Sequence, residues 1–491
     1  MARLIVSLRF PLSLALVCLG LALTASFSTG VVFSGTLNTA IWIGVAVVAW
    51  ACLRAHNVPL VSLSRAAIIF YLYIAVALFW PVVYPQIAIA VRAASFQTPD
   101  IFAKANQLVA IALATMLGTW LLAFDLHVRR PTRSDSRERL PLHPSSFAPL
   151  MLMALPLFVL TFPTASIFTV GYNGASRDVT VGASVDINVL KPALIICLLF
   201  ALVALLQRPT AWRKIFWGVS LAAEVLILGF AVGNRVEELG CLLAVGWLFQ
   251  DHQPGRHFPK RGVAAAVFLI FVMLVLGEIR NILPSEPFNT TLLLDATRRA
   301  LQIIPQSDTL KMRPSTNGDI AATICVVIGL VDTGVLEIDH GETFAKYGSM
   351  TLPRFLNPQR PTELQVLLQQ LGMTGGGLFV LAEPYLAGGA VGVFVVMGLV
   401  GFVIGTLEVR FVRRALSPTG FILYLLLLSC TPRWFLYSFL TMYKHVLTGI
   451  VILVLSACFT RFFERQSPLR VKTLDYRGIG SASKPKVLSQ T

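Results

Sequence analysis

Apolar runs divide this chain into segments, and they constrain its fold more than any other feature. They lie near 4–26, 31–53, 62–83, 106–125, 147–169, 189–206, 215–233, 236–250, 262–281, 387–408, 418–433 and 444–461 of the 491 residues. A helix needs about 20 residues to cross a hydrocarbon core about 30 Å thick, and most of these runs approach that length. The run at 236–250 is short and is kept because it forms a hairpin with its predecessor. The composition agrees: 56% of residues are hydrophobic, 13% are charged, and the mean hydropathy is +0.75. A soluble surface needs more charge than this. The expectation is an all-α polytopic membrane protein with about twelve transmembrane helices.

A net charge of +16 could point to nucleic acid, but in a membrane protein the position of basic residues matters more than their sum. Starting with the N-terminus inside, 25 of the 40 Lys and Arg fall in cytoplasmic segments, among them Arg54, Arg65, the "HVRRPTRSDSRERL" loop, "RFVRR" and the basic tail. Every short basic loop then lands on one side, both termini are cytoplasmic, and no nucleic-acid partner is expected. The stretch "IAATICVVIGLV" (320–331) is not counted as a span. It is too short, and including it would place "RFVRR" and the tail outside, so a buried or interfacial helix in an external loop suits it better. Arg3 and Arg9 precede an apolar run to about Ala25, which reads as an uncleaved anchor rather than a signal peptide, given the spans that follow. The seven cysteines contain no CxxC, lie mostly in apolar runs, and read as small buried residues.

The chain therefore divides into spans one to nine (1–277), a large external loop (278–377), spans ten to twelve (378–462) and a basic cytoplasmic tail (463–491). An external segment of this length needs structure of its own and is where function concentrates. Asn289 can cap a helix through "TTLLLDATRRAL". Pro361 suits the first turn of another, in which Leu364, Leu367, Leu368 and Leu371 form an i, i+3, i+4, i+7 stripe ended by Gly372. The two halves show no internal repeat, which counts against a secondary transporter built on repeats.

Fifteen basic residues remain on the outer side, ten of them arginine, where the positive-inside rule disfavours them. Planar, always-charged guanidinium groups suit an anionic ligand such as phosphate. The plainer alternative is that they snorkel or pair with the loop's acids. Arg235 stands in "GFAVGNRVEELG", where Gly233 and Asn234 can turn the backbone between two spans. Eleven residues earlier, nearly on the same helical face, sits the intramembrane Glu224, which is either functional or a structural partner. In "TLPRFLNPQRPTE", prolines on both sides restrict Arg354 and Arg360, so less entropy is lost on binding; a plain rigid loop is the other reading. "GGGLFVLAEPYLAGGAVG" brings Glu383 and Tyr385 to the mouth of span ten. Glu383 could act as a base in such partly apolar surroundings, or serve as counter-ion to an arginine. "EIDHGET" gathers Glu337, Asp339, His340 and Glu342. These could ligate a divalent metal, although the spacing fits no strict motif, and His340 could instead accept a proton.

The "GNR" turn at 233–235, "PRFLNPQRP" and "AEPYLAGGAVGVFVVMGLVGFVIG", in this order, resemble the oligosaccharide repeat-unit polymerases, the O-antigen polymerase (Wzy) family. Members more often carry lysine where Arg360 stands and glycine where Ala382 precedes Glu383; the positive charge and the carboxylate are kept. The resemblance implies a GT-C-like fold with a helical periplasmic loop in the bacterial inner membrane. It implies transfer of a growing glycan from undecaprenyl diphosphate to the next lipid-linked repeat unit at the periplasmic face. Arg235, Arg280, Arg354 and Arg360 would then hold the diphosphate, with Tyr385 beside them. Glu383 is the first candidate for the base, ahead of His340 and Glu342, and because arginines can replace a metal at the diphosphate, no metal and no other cofactor is expected. The partners implied are undecaprenyl-diphosphate-linked oligosaccharides, membrane lipid, and chain-length regulator and flippase proteins. The alternatives are an O-antigen ligase-type transferase with another acceptor, a transporter or flippase for the same lipid-linked glycan, and a non-catalytic export partner.

Overall fold

The structure, a computed structural model, describes residues 8–59, 61–83, 98–128, 316–351, 357, 359, 361–364, 367–368, 371, 378–412 and 418–466, with isolated positions 195, 215, 219, 294, 295 and 298. Among the described residues all regular structure is helical. In chain order the helices are α1 (Arg9–Ser28), α2 (Gly35–Ala55), α3 (Leu63–Val83), α4 (Pro99–Val128), α5 (Thr316–Asp332), α6 (Glu342–Thr351), α7 (Ala382–Val412), α8 (Pro418–Tyr437) and α9 (Phe439–Gln466). Among the described residues, four stretches are long and apolar enough to cross a membrane: α1, α2, α4 over Pro99–His127 and α7 over Ala382–Phe411. The chain is a helical membrane protein. The expected spans within 147–281 lie outside the described residues, apart from isolated helical positions.

α4, α7 and α9 run past both ends of the apolar stretches that announce them, because polar termini continue the hydrogen-bond ladder. At α4, Thr98 Oγ1 accepts the Ile101 N–H at 3.3 Å, and Pro99 occupies the first helical position, where no N–H is needed. This helix is the hub of the described bundle and packs against α7, α1 and α2. Its polar residues are satisfied from neighbouring chain: Gln107 Nε2 donates to Leu23 O at 3.1 Å and its Oε1 accepts from Phe33 N at 3.1 Å. The α4–α7 contact is close because Gly398, Gly401 and Gly405 face α4; a Cβ at Gly401 would collide with the Met116 carbonyl. On the other side of α4, Ser13 Oγ of α1 donates to Gly118 O at 2.7 Å.

The stretch 320–331 is helical within α5 and buried from Ile320 to Leu330, against α3, α4 and α7, which is the buried helix expected of it. Leu364, Leu367 and Leu368 are helical and Leu368 is fully buried, as the stripe after Pro361 predicts, whereas Leu371, its last expected member, is a turn residue and exposed. One break shapes the functional end. Gly389 (φ 60, ψ −144) takes a conformation open essentially to glycine. The hook Ala382–Ala387 is thereby set apart from the long body of α7. Leu378 to Leu381, just before the hook, are fully buried.

Candidate functional site

Glu383 sits in the first turn of α7 with 3% of its surface exposed. Its Oε2 accepts the Phe439 N–H at 2.6 Å. Phe439 opens α9, a helix of 28 residues, so the carboxylate meets one of the N–H groups that a helix start leaves without an intrahelical acceptor, at the positive end of the helix dipole. Ser438 turns the chain between α8 and α9 with φ 128, and its Oγ accepts the Thr441 N–H at 3.3 Å. This capping ties α8 and α9 into one corner around the carboxylate.

The third wall is α6. Tyr347 is 5% exposed and its hydroxyl faces Glu383, but it makes no hydrogen bond of good geometry here. Burial first, then the neighbouring Glu383 charge, push the phenol well above its ordinary pKa, so it stays protonated across the working pH range. The aromatic packing is continuous: Phe344 meets Tyr347 at 5.2 Å and Phe439 at 6.1 Å, and Tyr347 meets Tyr443 at 5.8 Å. Asp339 builds α6. It accepts from Gly341 N and Thr343 N, each at 3.0 Å, and from the Thr343 hydroxyl, while its own N–H donates to Leu386 O of the hook.

The other residues singled out from the sequence fall as follows. His340 is exposed, in a left-handed conformation at φ 51. Glu342 is exposed and pairs with Lys346 at 2.8 Å. Both lie at the start of α6, whereas the residue this helix presents to Glu383 is Tyr347. Tyr385 is buried, but its ring packs edge-on against Phe27 of α1 at 6.2 Å; two residues beyond Glu383, it points to another side of the helix. Among the described residues, no three His, Cys, Asp or Glu side chains converge as a metal site, and Asp339 of "EIDHGET" serves as a helix cap. Arg235, Arg280, Arg354, Arg360 and Glu224 lie outside the described residues.

Among the described residues of the proline-arginine segment and its continuation, Asn357 and Glu363 are each tied to a helix of the Glu383 corner. Asn357 Nδ2 donates to Ser349 O of α6 at 3.2 Å. Glu363 pairs with Lys444 of α9 at 2.6 Å, with side-chain exposures of 20% and 14%. Three lysines of the basic set expected on the outer side are thus committed to carboxylates: Lys444 to Glu363, Lys346 to Glu342, and Lys104 to Asp332 at 2.8 Å and Asp100 at 3.3 Å. For these, pairing with acids is the correct reading.

Glu224 is the intramembrane carboxylate singled out from the sequence, and α7 carries another. Glu408 is fully buried and lies beyond the break at Gly389, roughly 28 Å along the body of α7 at 1.5 Å per residue, toward the end of that helix away from the hook that carries Glu383. Its Oε2 accepts from Ser64 N at 3.1 Å and Ser64 Oγ at 2.9 Å, and Tyr424 OH donates to Oε1 at 3.2 Å. Tyr424 OH in turn accepts the Leu63 N–H at 3.0 Å, and Trp120 Nε1 donates to Ser64 Oγ at 2.9 Å. A carboxylate on α7 thus caps the start of α3 with help from α8 and α4. The signal is present in "GTLEVRFVRR", where Glu408 closes an apolar run before the basic cluster.

No protein-family model, no curated protein and no solved structure matches this chain.

Proposed function

We propose that this protein is a polysaccharide polymerase of the bacterial inner membrane. It has about twelve transmembrane helices in a GT-C-like arrangement, with both termini cytoplasmic. It transfers a growing glycan from undecaprenyl diphosphate to the next lipid-linked oligosaccharide repeat unit at the periplasmic face. The observation that carries this reading is the Glu383 corner. A buried carboxylate lies where α6, α7 and α9 meet, and Asn357 and Glu363, from the segment that carries Arg360, are bound to two of those same helices.

In the reaction, the acceptor hydroxyl gives its proton to Glu383 as its oxygen bonds to the anomeric carbon of the donor. The bond from that carbon to the diphosphate oxygen breaks, and the diphosphate leaves with the electron pair. Negative charge grows on the leaving group, and Arg235, Arg280, Arg354 and Arg360 are the cations to hold it. Preorganised donors of this kind are worth on the order of 3 kcal/mol each. Exclusion of water around Glu383 strengthens every charge interaction in the corner. The chemistry asks for no metal, because the guanidinium groups take that role.

Purified protein supplied with undecaprenyl-diphosphate-linked repeat units in detergent tests the reading. Polymer ladders are expected, unaffected by chelator and lost on Arg354→Ala or Arg235→Ala. Full activity in both variants would remove the arginine clamp, and the absence of ladders from wild-type protein would overturn the assignment.

A further inference from the structure

We propose that Tyr347 is a positioning residue for Glu383: its hydroxyl, buried in the α6 wall and facing the carboxylate, holds the base in its reactive orientation. The inference rests on the polymerase reading and extends it to a residue with no part in the sequence motifs.

A carboxylate offers about four acceptor directions on two oxygens, and here the Phe439 N–H takes one, on Oε2. The Leu440 N–H also reaches the carboxyl, so both backbone donors come from the start of α9. The donor on the α6 wall is the Tyr347 hydroxyl, which faces Glu383 and is buried without a hydrogen bond of good geometry. A buried hydroxyl in this condition is costly, whereas its ring is fully engaged, packed against Phe344 and Tyr443. Packing therefore accounts for the ring, which phenylalanine would satisfy equally, and leaves the oxygen to be explained by Glu383. The proton balance is simple: the acceptor hydroxyl's proton goes to Glu383, the diphosphate leaves with its electron pair, and Tyr347 keeps its own proton throughout.

Tyr347→Phe removes the oxygen and keeps the ring. Full-length protein in nanodiscs is measured in two ways, with Glu383→Gln used to identify the Glu383 carboxyl band in the infrared spectrum. In Tyr347→Phe that band is expected to move. Turnover of undecaprenyl-diphosphate-linked repeat units is expected to fall about 10- to 100-fold, the loss of one hydrogen bond to a charged group, with the KM for the acceptor unchanged. An unmoved band, or wild-type turnover in Tyr347→Phe, overturns the role of Tyr347 while leaving the polymerase reading intact. A wild-type protein that binds these substrates without turning them over overturns the polymerase reading and, with it, Tyr347's catalytic positioning.

Discussion

Replacing Glu408 with alanine should unfasten one end of the bundle. The carboxylate receives hydrogen bonds from Ser64 N, Ser64 Oγ and Tyr424 OH, and it is fully buried, so no water replaces what is lost. Hydrogen bonds to a charged group contribute about 1.5–3 kcal/mol in soluble proteins, and those between membrane helices average nearer 0.6 kcal/mol. Three bonds, less what Tyr424 and Ser64 recover elsewhere, give a destabilisation of about 3 kcal/mol. Glu408→Gln keeps one acceptor oxygen but turns an amide N–H₂ toward existing donors, and about 1–2 kcal/mol is expected. Tyr424→Phe removes one donor to the carboxylate together with the acceptor for Leu63 N–H, and should fall between the two. Unfolding by sodium dodecyl sulfate in mixed micelles, followed by far-ultraviolet circular dichroism, reads these differences directly. If Glu408→Ala unfolds at the wild-type denaturant fraction, or all three variants coincide, the capping of α3 by α7 contributes nothing and the reasoning is wrong.

Other perturbations follow from the same geometry. Gly401→Ala places a Cβ against the Met116 carbonyl and the Thr119 hydroxyl; forcing α4 and α7 apart should cost about 1–3 kcal/mol in the same unfolding assay, whereas Gly44→Ala, which meets nothing, should not destabilise. Burial, with a smaller push from Arg9, lowers the His56 pKa from 6.5 to about 4. The unfolded chain therefore takes up this proton first as pH falls, so stability should drop from about pH 6.5 down to about 4 and then level off; unfolding midpoints across that range should lose part of their slope in His56→Phe.

Much of the architecture is legible in the sequence because a bilayer demands continuous apolar length. The runs at 4–26, 31–53 and 106–125 lie on α1, α2 and α4, and 320–331 is the buried helix its length implied. The break at Gly389 was not read from the glycines after Tyr385. Glu383 was picked out as a carboxylate in an apolar setting, and it is buried. What periodicity does not carry is the partner of each polar group. Glu408 meets Ser64 across 344 positions of sequence, and Lys444 meets Glu363 across 81, so neither the cap nor the ion pair leaves a local trace. Tyr347 was passed over for a related reason: in the amphipathic "ETFAKYGSMT" the charged residues attract attention, yet they stand on the exposed side and the phenol on the buried one.

Under the proposed function, a glycosidic bond is made at the expense of a sugar–diphosphate bond. The most direct measurement is stoichiometric: protein reconstituted in sealed vesicles with lipid-linked repeat units, scored for undecaprenyl diphosphate released against repeat units joined. One diphosphate lipid released for each linkage formed is the expected result. Glycan that crosses the vesicle membrane with its lipid diphosphate intact, and no linkage formed, would mark the protein as a transporter and contradict the account.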